Sequence, residues 1–247
     1  MSSPLSIRIA TAAALGLIAA AGNLLGGYFV VRREWPRQFL QYFVAFGAGY
    51  MLAVAFVDVI PEAVRLGGDA AFLFVLAGFF LVHLFEHALA PHFHFGEEIH
   101  PEAMHLHGAT TSVFLGLFVH TFFDGVAIAA GFLISISLGV LLFFAVFLHK
   151  LPEGFTVASV VLAGGQGRRR ALQAAAGLGL ATLAGVFLTS LLAGQLQYAL
   201  PLSGGVTLYV AGTDLLPEVN REPGWRVALL VFLGAALVLA LHYLFQL

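Results

Sequence analysis

Apolar residues run along this chain in long stretches, separated by short segments that hold most of the charged residues. Roughly 20 apolar residues are needed for a helix to cross a hydrocarbon core of ~30 Å, and the stretches are close to that length. The pattern therefore predicts an all-α polytopic membrane protein with a single transmembrane domain over residues 1–247. It predicts eight spanning helices, near 7–31, 38–63, 70–90, 109–133, 138–163, 171–197, 203–219 and 225–246.

The composition indicates that the lipid bilayer is the natural solvent of the chain. Hydrophobic residues make up 60% and charged residues only 10%, whereas a soluble domain of this size needs far more charge to cover its surface. The net charge of −2 points to no partner, and no nucleic acid is expected. Cysteine is absent, which excludes disulfides and thiolate metal sites. The first apolar stretch lacks a strongly basic leader, so it is predicted to be a membrane anchor and not a cleaved signal peptide.

The placement of arginine predicts the orientation in the membrane. Most arginines lie in the connections after helices one, five and seven, at Arg32, Arg33, Arg37, Arg168, Arg169, Arg170, Arg221 and Arg226. The opposite side holds only Arg8 and Arg65. Because cytoplasmic connections carry the excess of basic residues, both termini are expected to be extracytoplasmic in a plasma membrane, which is the inner membrane if the organism is bacterial.

Two segments of the chain repeat each other. "FVDVIPEA" (56–63) and "GTDLLPEV" (212–219) both read Asp-x-x-Pro-Glu, in the second and seventh helices. They predict that the first three and last three helices are copies of opposite topology, a build found in membrane transporters. Pro61 and Pro217 each free a backbone carbonyl one turn earlier, beside Asp58 and Asp214. The alternative is that Asp-Pro-Glu clusters simply mark helix ends.

A second pair of motifs lies in helices four and five. "HTFFDG" (120–125) and "HKLPEG" (149–154) both read His-x-x-x-acid-Gly. His120 lies about eleven residues from the inner end of helix four, and His149 lies about eleven residues from the outer end of helix five. Two antiparallel helices with these offsets bring both motifs to one depth. That depth is the centre of the bilayer, and Pro152 is predicted to bend the fifth helix there.

These motifs place a candidate metal site inside the membrane. An ionisable residue at the bilayer centre costs about 2.5–3.5 kcal/mol, so His120, Asp124, His149 and Glu153 are predicted to have a function. A spacing of four puts each histidine on the same helix face as its acid. Two imidazoles and two carboxylates suit a divalent first-row metal ion, zinc foremost, and the carboxylates neutralise its charge. The alternative is a metal-free ion-pair cluster, with Lys150 paired to Glu153, that pins the helices together.

Other polar residues are candidates for transient binding of the metal ion as it enters and leaves. Asp58 and Glu62 lie toward the outside and Asp214 and Glu218 toward the inside, although Glu62 and Glu218 are equally well read as ordinary helix-end residues. His83, Glu86 and His87 share one face of helix three in its cytoplasmic half, where they either pass metal on or are simply solvated. The third connection, 91–108, is predicted to be a cytoplasmic loop that binds metal transiently through His92, His94, His100, His105 and His107. His242 is alone on an apolar helix and is interpreted as interfacial.

The paired motifs resemble the signature helices of the ZIP family, the zinc- and iron-regulated-transporter-like proteins that carry divalent metals into the cytoplasm. The resemblance covers the whole chain, from the eight spans to the His-rich third connection. It implies a 3+2+3 bundle, with helices four and five enclosed by the inverted triplets. It also implies that His120, Asp124, His149 and Glu153 form the principal metal site, with Asp58 as a further pathway ligand.

The chain departs from the two-metal form of the family pattern. Thr121 follows the first motif histidine where many members place Asn or Ser, and Lys150 follows the second where many place Asn, Asp or Glu. Some members do carry a lysine there. We expect the Lys150 ammonium to replace the second cation, and helix six adds no acid. The sequence therefore predicts one transported ion at the midplane.

The predicted function is uptake of a divalent transition-metal ion, with zinc as the first candidate and iron, manganese and cadmium among the others. The protein is not expected to be an enzyme, because an intramembrane metal hydrolase needs a motif such as His-Glu-x-x-His, which this sequence lacks. A metal exporter or sensor is the other alternative. The sequence fixes neither metal selectivity nor oligomeric state, and a homodimer stays open.

Overall fold

The computed structural model describes residues 4–32, 37–89, 109–220 and 224–245. Within these ranges the chain forms eight helical units, as predicted. They are α1 (Leu5–Arg32), α2 (Arg37–Val54, a π-helical turn Ala55–Val59, and Ile60–Gly67), α3 (Ala70–Leu89), α4 (Ala109–Ile134), α5 (Ile136–Ala163), α6 (Arg168–Leu191), α7 (Leu196–Tyr209, a π-helical turn Val210–Leu215, and Leu216–Asn220) and α8 (Trp225–Phe245).

Length and composition allow most of these helices to cross a membrane. Six apolar segments of the described chain are long enough, namely Leu5–Arg32, Val44–Gly67, Phe114–Ile134, Ile136–Leu162, Arg168–Leu191 and Trp225–Leu244. Helix α3 has a shorter apolar part, Ala70–Phe85, and α7 is divided by its π-helical turn. Large apolar side chains such as Leu73 and Phe232 are about 70% exposed on the outside of the bundle. Such a surface is suited to lipid and not to water, which fits the predicted class.

Helix packing follows an inverted repeat. Gly49 of α2 lies so close to α8 that a Cβ on it would be 1.9 Å from the Val231 carbonyl oxygen. Gly205, 156 residues later in α7, makes the same approach at 1.9 Å to Val75 of α3, which is 156 residues before Val231. Gly78 against Leu202 and Gly234 against Phe46 form a second pair with the same spacing. Only glycine permits such contact between backbones, and the contacts are repeated by the symmetry.

The central helices α4 and α5 obey the same symmetry. Gly154 of α5 packs on the carbonyl oxygen of Asn23 in α1, and Gly125 of α4 packs on that of Thr182 in α6, each at 2.0 Å from an added Cβ. The operation that takes α1 onto α6 therefore exchanges α4 with α5. Only Ser135 separates α4 from α5, so the two helices are antiparallel. A symmetry operation that exchanges two antiparallel helices reverses the chain direction, as an inverted repeat requires. This supports the predicted arrangement, in which inverted triplets enclose the pair α4 and α5.

The two Asp-x-x-Pro-Glu motifs lie at π-helical turns. The N–H of Ile60 donates to the carbonyl of Ala55, and that of Leu216 donates to Ala211, each five residues back. Pro61 and Pro217 follow directly and cannot donate to the preceding turn, which explains the wider turn at this point. The predicted loosening of the backbone thus takes the form of a π-helical turn. By contrast, α5 remains α-helical through Pro152.

The ends of the described chain lie at one end of the bundle. Arg8, in the first turns of α1, donates through Nη1 to the carbonyls of Leu133 and Ile134 at 2.8 and 2.9 Å. His242, near the end of α8, lines a cavity with Ile134 and Ser135. Both therefore lie beside the turn between α4 and α5, as expected for an even number of spans.

Candidate metal site

The four residues singled out by the two central motifs converge on one point. His120 and Asp124 come from α4, and His149 and Glu153 come from α5. One ligand atom from each residue lies within 4.8 Å of all the others. The four residues are at most 4% exposed. The predicted convergence of the two helix faces is therefore present in the structure.

The arrangement of the imidazoles favours a bound cation. The His149 Nδ1–H donates to the carbonyl of Ala145 at 2.9 Å, so Nε2 of the neutral ring carries a lone pair. That lone pair faces Asp124 Oδ2 across 3.2 Å. Two acceptors face each other favourably only when a cation, a proton or a metal ion, joins them. The hydrogen bond to Ala145 is also the kind of outer contact that orients histidine ligands of metals.

Two of the distances between these atoms match those between the ligands of a tetrahedral metal ion. His120 Nε2 also lies 3.2 Å from Asp124 Oδ2, and the two imidazole rings are 5.3 Å apart. A tetrahedral zinc ion with bonds of ~2.0 Å separates its ligands by about 3.3 Å. His120 Nδ1 is buried without a hydrogen-bond partner in the described part of the chain. The donor set of two nitrogens and two carboxylates therefore fits zinc and related divalent ions.

Lys150 lies between the two carboxylates. Its Nζ donates to Asp124 Oδ2 and to Glu153 Oε2, both at 2.6 Å, and its side chain is fully buried. With neutral imidazoles, two carboxylates and one ammonium give the site a net charge of −1. A dication that enters changes this to +1, so the lysine limits how much positive charge the site accepts.

Polar neighbours fix the position of Glu153. Thr121 Oγ1 donates to Glu153 Oε1. Asn23 of α1 is completely buried. With the Asn23 amide oriented so that its nitrogen faces acceptors, that nitrogen donates to the Lys150 carbonyl at 2.7 Å and to Glu153 Oε2 at 3.3 Å. Asn23 was not identified from the sequence, although a lone Asn within an apolar stretch is a usable signal.

Comparison with known proteins agrees with this architecture. The family model described as ZIP Zinc transporter matches residues 5–113 and 97–242, which is almost the whole chain. The chain belongs to the ZIP family. Similar ZIP proteins include a protein named Zinc transporter ZIP13 homolog from Drosophila melanogaster, 30% identical over 139 residues, or 52% of this chain and 39% of the fly protein. Zinc transporter ZIP9 from Xenopus tropicalis is 31% identical over 158 residues, or 59% of this chain and 52% of the frog protein.

The ZIP chain described here spans about half or less of the length of these two relatives. An uncharacterised protein of Methanocaldococcus jannaschii matches it end to end, with 28% identity over 248 residues, covering 98% of this chain and all of the archaeal one. The family-model match establishes the family, in agreement with the resemblance of the signature motifs.

Other predicted residues of the ZIP pathway lie outside the central group. Asp58 is buried and bonds His242 Nδ1 through Oδ1 at 2.7 Å. Glu62 accepts two hydrogen bonds from Arg65, at 2.5 and 2.6 Å. Asp214 is 3% exposed and accepts from the neighbouring Thr213 hydroxyl at 3.3 Å.

On the opposite side of this ZIP bundle, the His83 Nδ1 atom of α3 lies 3.5 Å from the Tyr209 hydroxyl, and His83 is exposed. Several predicted residues have no described side chain. Glu86 and His87 stand on α3 and Glu218 on the last piece of α7, and only their helices are described. The loop histidines His92, His94, His100, His105 and His107 lie outside the described residues.

The prediction that His242 stands alone is wrong. It is a partner of Asp58 on another helix. The internal repeat carried the missing signal, because the spacing of 156 residues that relates Asp58 to Asp214 also relates Glu86 to His242. If α2 is predicted to pack beside α8, and α7 beside α3 by the same repeat, each aspartate is predicted to have an ionisable residue on the neighbouring helix.

Proposed function

We propose that this protein carries a divalent transition-metal ion, zinc first among the candidates, across the plasma membrane and into the cytoplasm. The observation that carries the proposal is the buried group His120, Asp124, His149 and Glu153, whose ligand atoms lie within 4.8 Å of one another. Membership of the ZIP family supports transport over intramembrane hydrolysis. The two relatives named as zinc transporters support zinc as the substrate.

The proposed route follows the inverted repeat. Metal passes Asp58 and Glu62 on the extracytoplasmic side, rests at the midplane site, and leaves past Asp214 and Glu218. His83, Glu86 and His87 then pass it to the loop 91–108. The triplets rock against the pair α4 and α5 to open the site to each side in turn. Extracytoplasmic termini are proposed from the arginine distribution, and the membrane is proposed to be the plasma membrane, which is the inner membrane if the organism is bacterial. A homodimer is compatible with this route, and light scattering of the solubilised protein measures it.

Flux into sealed vesicles tests the proposed function. Purified protein is reconstituted in liposomes that contain a zinc-sensitive dye, and zinc is added outside. We expect dye signal to rise, and the signal to be lost in the His120→Ala variant. Zinc, iron, manganese and cadmium are compared by competition. Absence of flux in either direction overturns transport, and flux only from the cytoplasmic side identifies an exporter.

One ion is proposed to occupy the midplane, because Lys150 supplies the second positive charge. Replacing Lys150 with Met keeps the side-chain length and removes the ammonium, so two carboxylates are left uncompensated in a buried site. The metal-free protein loses stability and zinc restores it. We expect the zinc-induced rise in Tm to exceed that of the unchanged protein by at least about 4 °C, or about 1–2 kcal/mol.

The control for this prediction is Lys150→Arg, which keeps the positive charge, so the larger rise in Tm is absent. An unchanged rise in the Lys150→Met variant contradicts the role of Lys150. The proposal is also contradicted if the unchanged protein binds two zinc ions at the midplane and the Lys150 ammonium is displaced from both carboxylates.

The His-rich loop is proposed to act as a regulatory part of the single transporter domain. Replacing its five histidines by Ser leaves the midplane ligands untouched, so we expect zinc bound at the midplane to stay the same. The transport rate or its dependence on cytoplasmic zinc changes. Flux assays and metal analysis of the same preparation check both statements. Loss of all bound metal rules out this division of labour.

A further inference from the structure

Arginines of two neighbouring helices gather at the end of the bundle that lies opposite the turn between α4 and α5. Arg32 is the last residue of α1, and residues 168–170, all arginines, begin α6. The two helices are in contact near this end, because a Cβ on Gly27 of α1 would lie 2.6 Å from the Ala175 Cβ of α6. All four arginines are exposed, so they form one positively charged surface.

The guanidinium groups of this surface differ from those at the other end of the bundle in having no partner. At the other end, Arg8 donates to two backbone carbonyls and Arg65 donates to Glu62. The guanidinium groups of Arg32 and of residues 168–170 make no hydrogen bond or ion pair within the ranges that the structure describes. Arg32 lies over the Tyr28 ring, 5.3 Å from its centroid. Because arginine is always charged in proteins, four positive charges remain uncompensated there.

The beginning of α6 adds to the positive potential of the arginine surface. The first turn of α6 contains no acidic residue, and its N-cap, Gly167, has no side chain that could accept from the free N–H groups. Positive side chains are unfavourable at a helix N-terminus, because the helix dipole is positive there as well. Segments 32–37 and 163–170 together hold six arginines and one acid, Glu34. This accumulation of like charge favours a bound anion.

The side chains next to the arginines indicate that the anion is a phospholipid headgroup. Leu24, Leu25 and Tyr28, in the last turns of α1, are between 43% and 49% exposed, and Leu180 of α6 is 66% exposed. A soluble anion contacts only the charged end of this surface. An anionic phospholipid contacts the arginines through its phosphate and the apolar side chains through its acyl chains. The planar guanidinium group also matches the geometry of phosphate oxygens.

We propose that Arg32 and the arginines at 168–170 bind the phosphate of an anionic phospholipid, which links the end of α1 to the beginning of α6. A ligand that binds only the folded protein raises its Tm, so the lipid stabilises the bundle. α1 packs on α5 through Asn23 and Gly154, and α6 packs on α4 through Thr182 and Gly125. The lipid therefore holds the two helices that flank the central pair. Lipid binding is independent of the proposed transport function, and its test needs no flux.

Thermal unfolding of the full-length protein in a neutral detergent tests this site. The protein is titrated with phosphatidylglycerol, which is anionic, or with phosphatidylcholine of the same acyl chains, which has no net charge. We expect phosphatidylglycerol to raise Tm by at least about 4 °C more than phosphatidylcholine does. Sodium chloride should reduce this difference, because salt screens exposed charges. The combined variant Arg168→Gln, Arg169→Gln and Arg170→Gln should lose it.

Two single variants form a matched pair that locates the effect. Arg226 is also exposed and lies over a neighbouring ring, 5.8 Å from the centroid of Trp225, but it stands on α8, which packs on α2. We expect Arg32→Gln to raise the phosphatidylglycerol concentration needed for half of the Tm rise by about fivefold, as for the loss of one basic residue at an anionic membrane surface. Arg226→Gln should leave it within about twofold.

Four results overturn the lipid site. The first is an equal Tm rise with the two lipids, and the second is a full phosphatidylglycerol effect in the combined Gln variant. The third is an equal effect of Arg32→Gln and Arg226→Gln, which indicates attraction to the overall charge of this end. The fourth is the same Tm rise with millimolar inorganic phosphate at matched ionic strength, which identifies a site for free anions. If the combined variant does not fold, the matched pair decides the site.

Discussion

Replacing Glu153 by Gln is expected to remove zinc from the midplane site and to lower uptake by at least about 100-fold, which is about 2.7 kcal/mol. Glutamine has the same shape, but its amide is a much weaker metal ligand than a carboxylate. The change also raises the net charge of the site from −1 to 0, because Lys150 stays paired with Asp124 at 2.6 Å. A dication then enters a buried site with no net negative charge to receive it. Flux into dye-loaded vesicles and metal analysis of the purified variant check both effects.

The control for Glu153 lies one turn away on the same helix. The Thr156 hydroxyl donates to the carbonyl of Pro152 at 3.0 Å, so Thr156→Val loses one local hydrogen bond and no metal ligand. We expect its uptake to stay within about twofold, since one such bond contributes about 1 kcal/mol or less to folding. Normal uptake by a well-folded Glu153→Gln variant contradicts the assignment of Glu153 as a ligand.

Replacing Gly125 by Ala is expected to separate α4 from α6 and to destabilise the whole bundle. The added methyl lies 2.0 Å from the Thr182 carbonyl oxygen and 2.9 Å from the Val186 nitrogen. Both are backbone atoms, which cannot rotate away as a side chain does, so the helices have to move apart. Overpacking usually costs about 1–3 kcal/mol, and we expect at least the upper value. This corresponds to a fall in Tm of roughly 6–12 °C, with loss of zinc binding because Asp124 is adjacent.

Gly116 provides a matched control for Gly125. Both glycines lie in α4, and a Cβ on Gly116 meets no atom within 4 Å among the described residues. Alanine there gains helix propensity, so we expect Tm to stay equal or rise slightly. Thermal unfolding in one detergent compares the two variants directly. Equal Tm values for Gly125→Ala and Gly116→Ala contradict the close contact between α4 and α6.

The helix count and the convergence of the four central residues follow from the sequence for simple physical reasons. Bilayer thickness sets the length of an apolar run, and the helical period places His120 on the face of Asp124 and His149 on that of Glu153. Where apolar residues continue through a turn, the sequence pattern does not show where one helix ends and the next begins. The predictions 171–197 and 203–219 differ from the observed Arg168–Leu191 and Leu196–Asn220 because the connecting residues are themselves largely apolar.

Contacts that depend on how helices pack were beyond the sequence pattern. Asn23 and His242 lie on helices remote in sequence from their partners, and only the packing of α1 on α5 and of α8 on α2 brings them into contact. Because glycine has no Cβ, it sets that packing through backbone contacts such as Gly154 on Asn23. The pairing of Lys150 with Glu153, which the spacing predicted as part of the metal-free alternative, is present, but the second bond of Lys150, to Asp124, depends on the register of α4 against α5.

The most direct measurement is an anomalous difference map at the zinc absorption edge from crystals of the zinc-loaded protein. The account predicts one peak at the bilayer centre, within about 2.0–2.2 Å of ligand atoms from His120, Asp124, His149 and Glu153, with the Lys150 ammonium still beside the carboxylates. A map without density at this point, or with two ions there and Lys150 turned away, contradicts it.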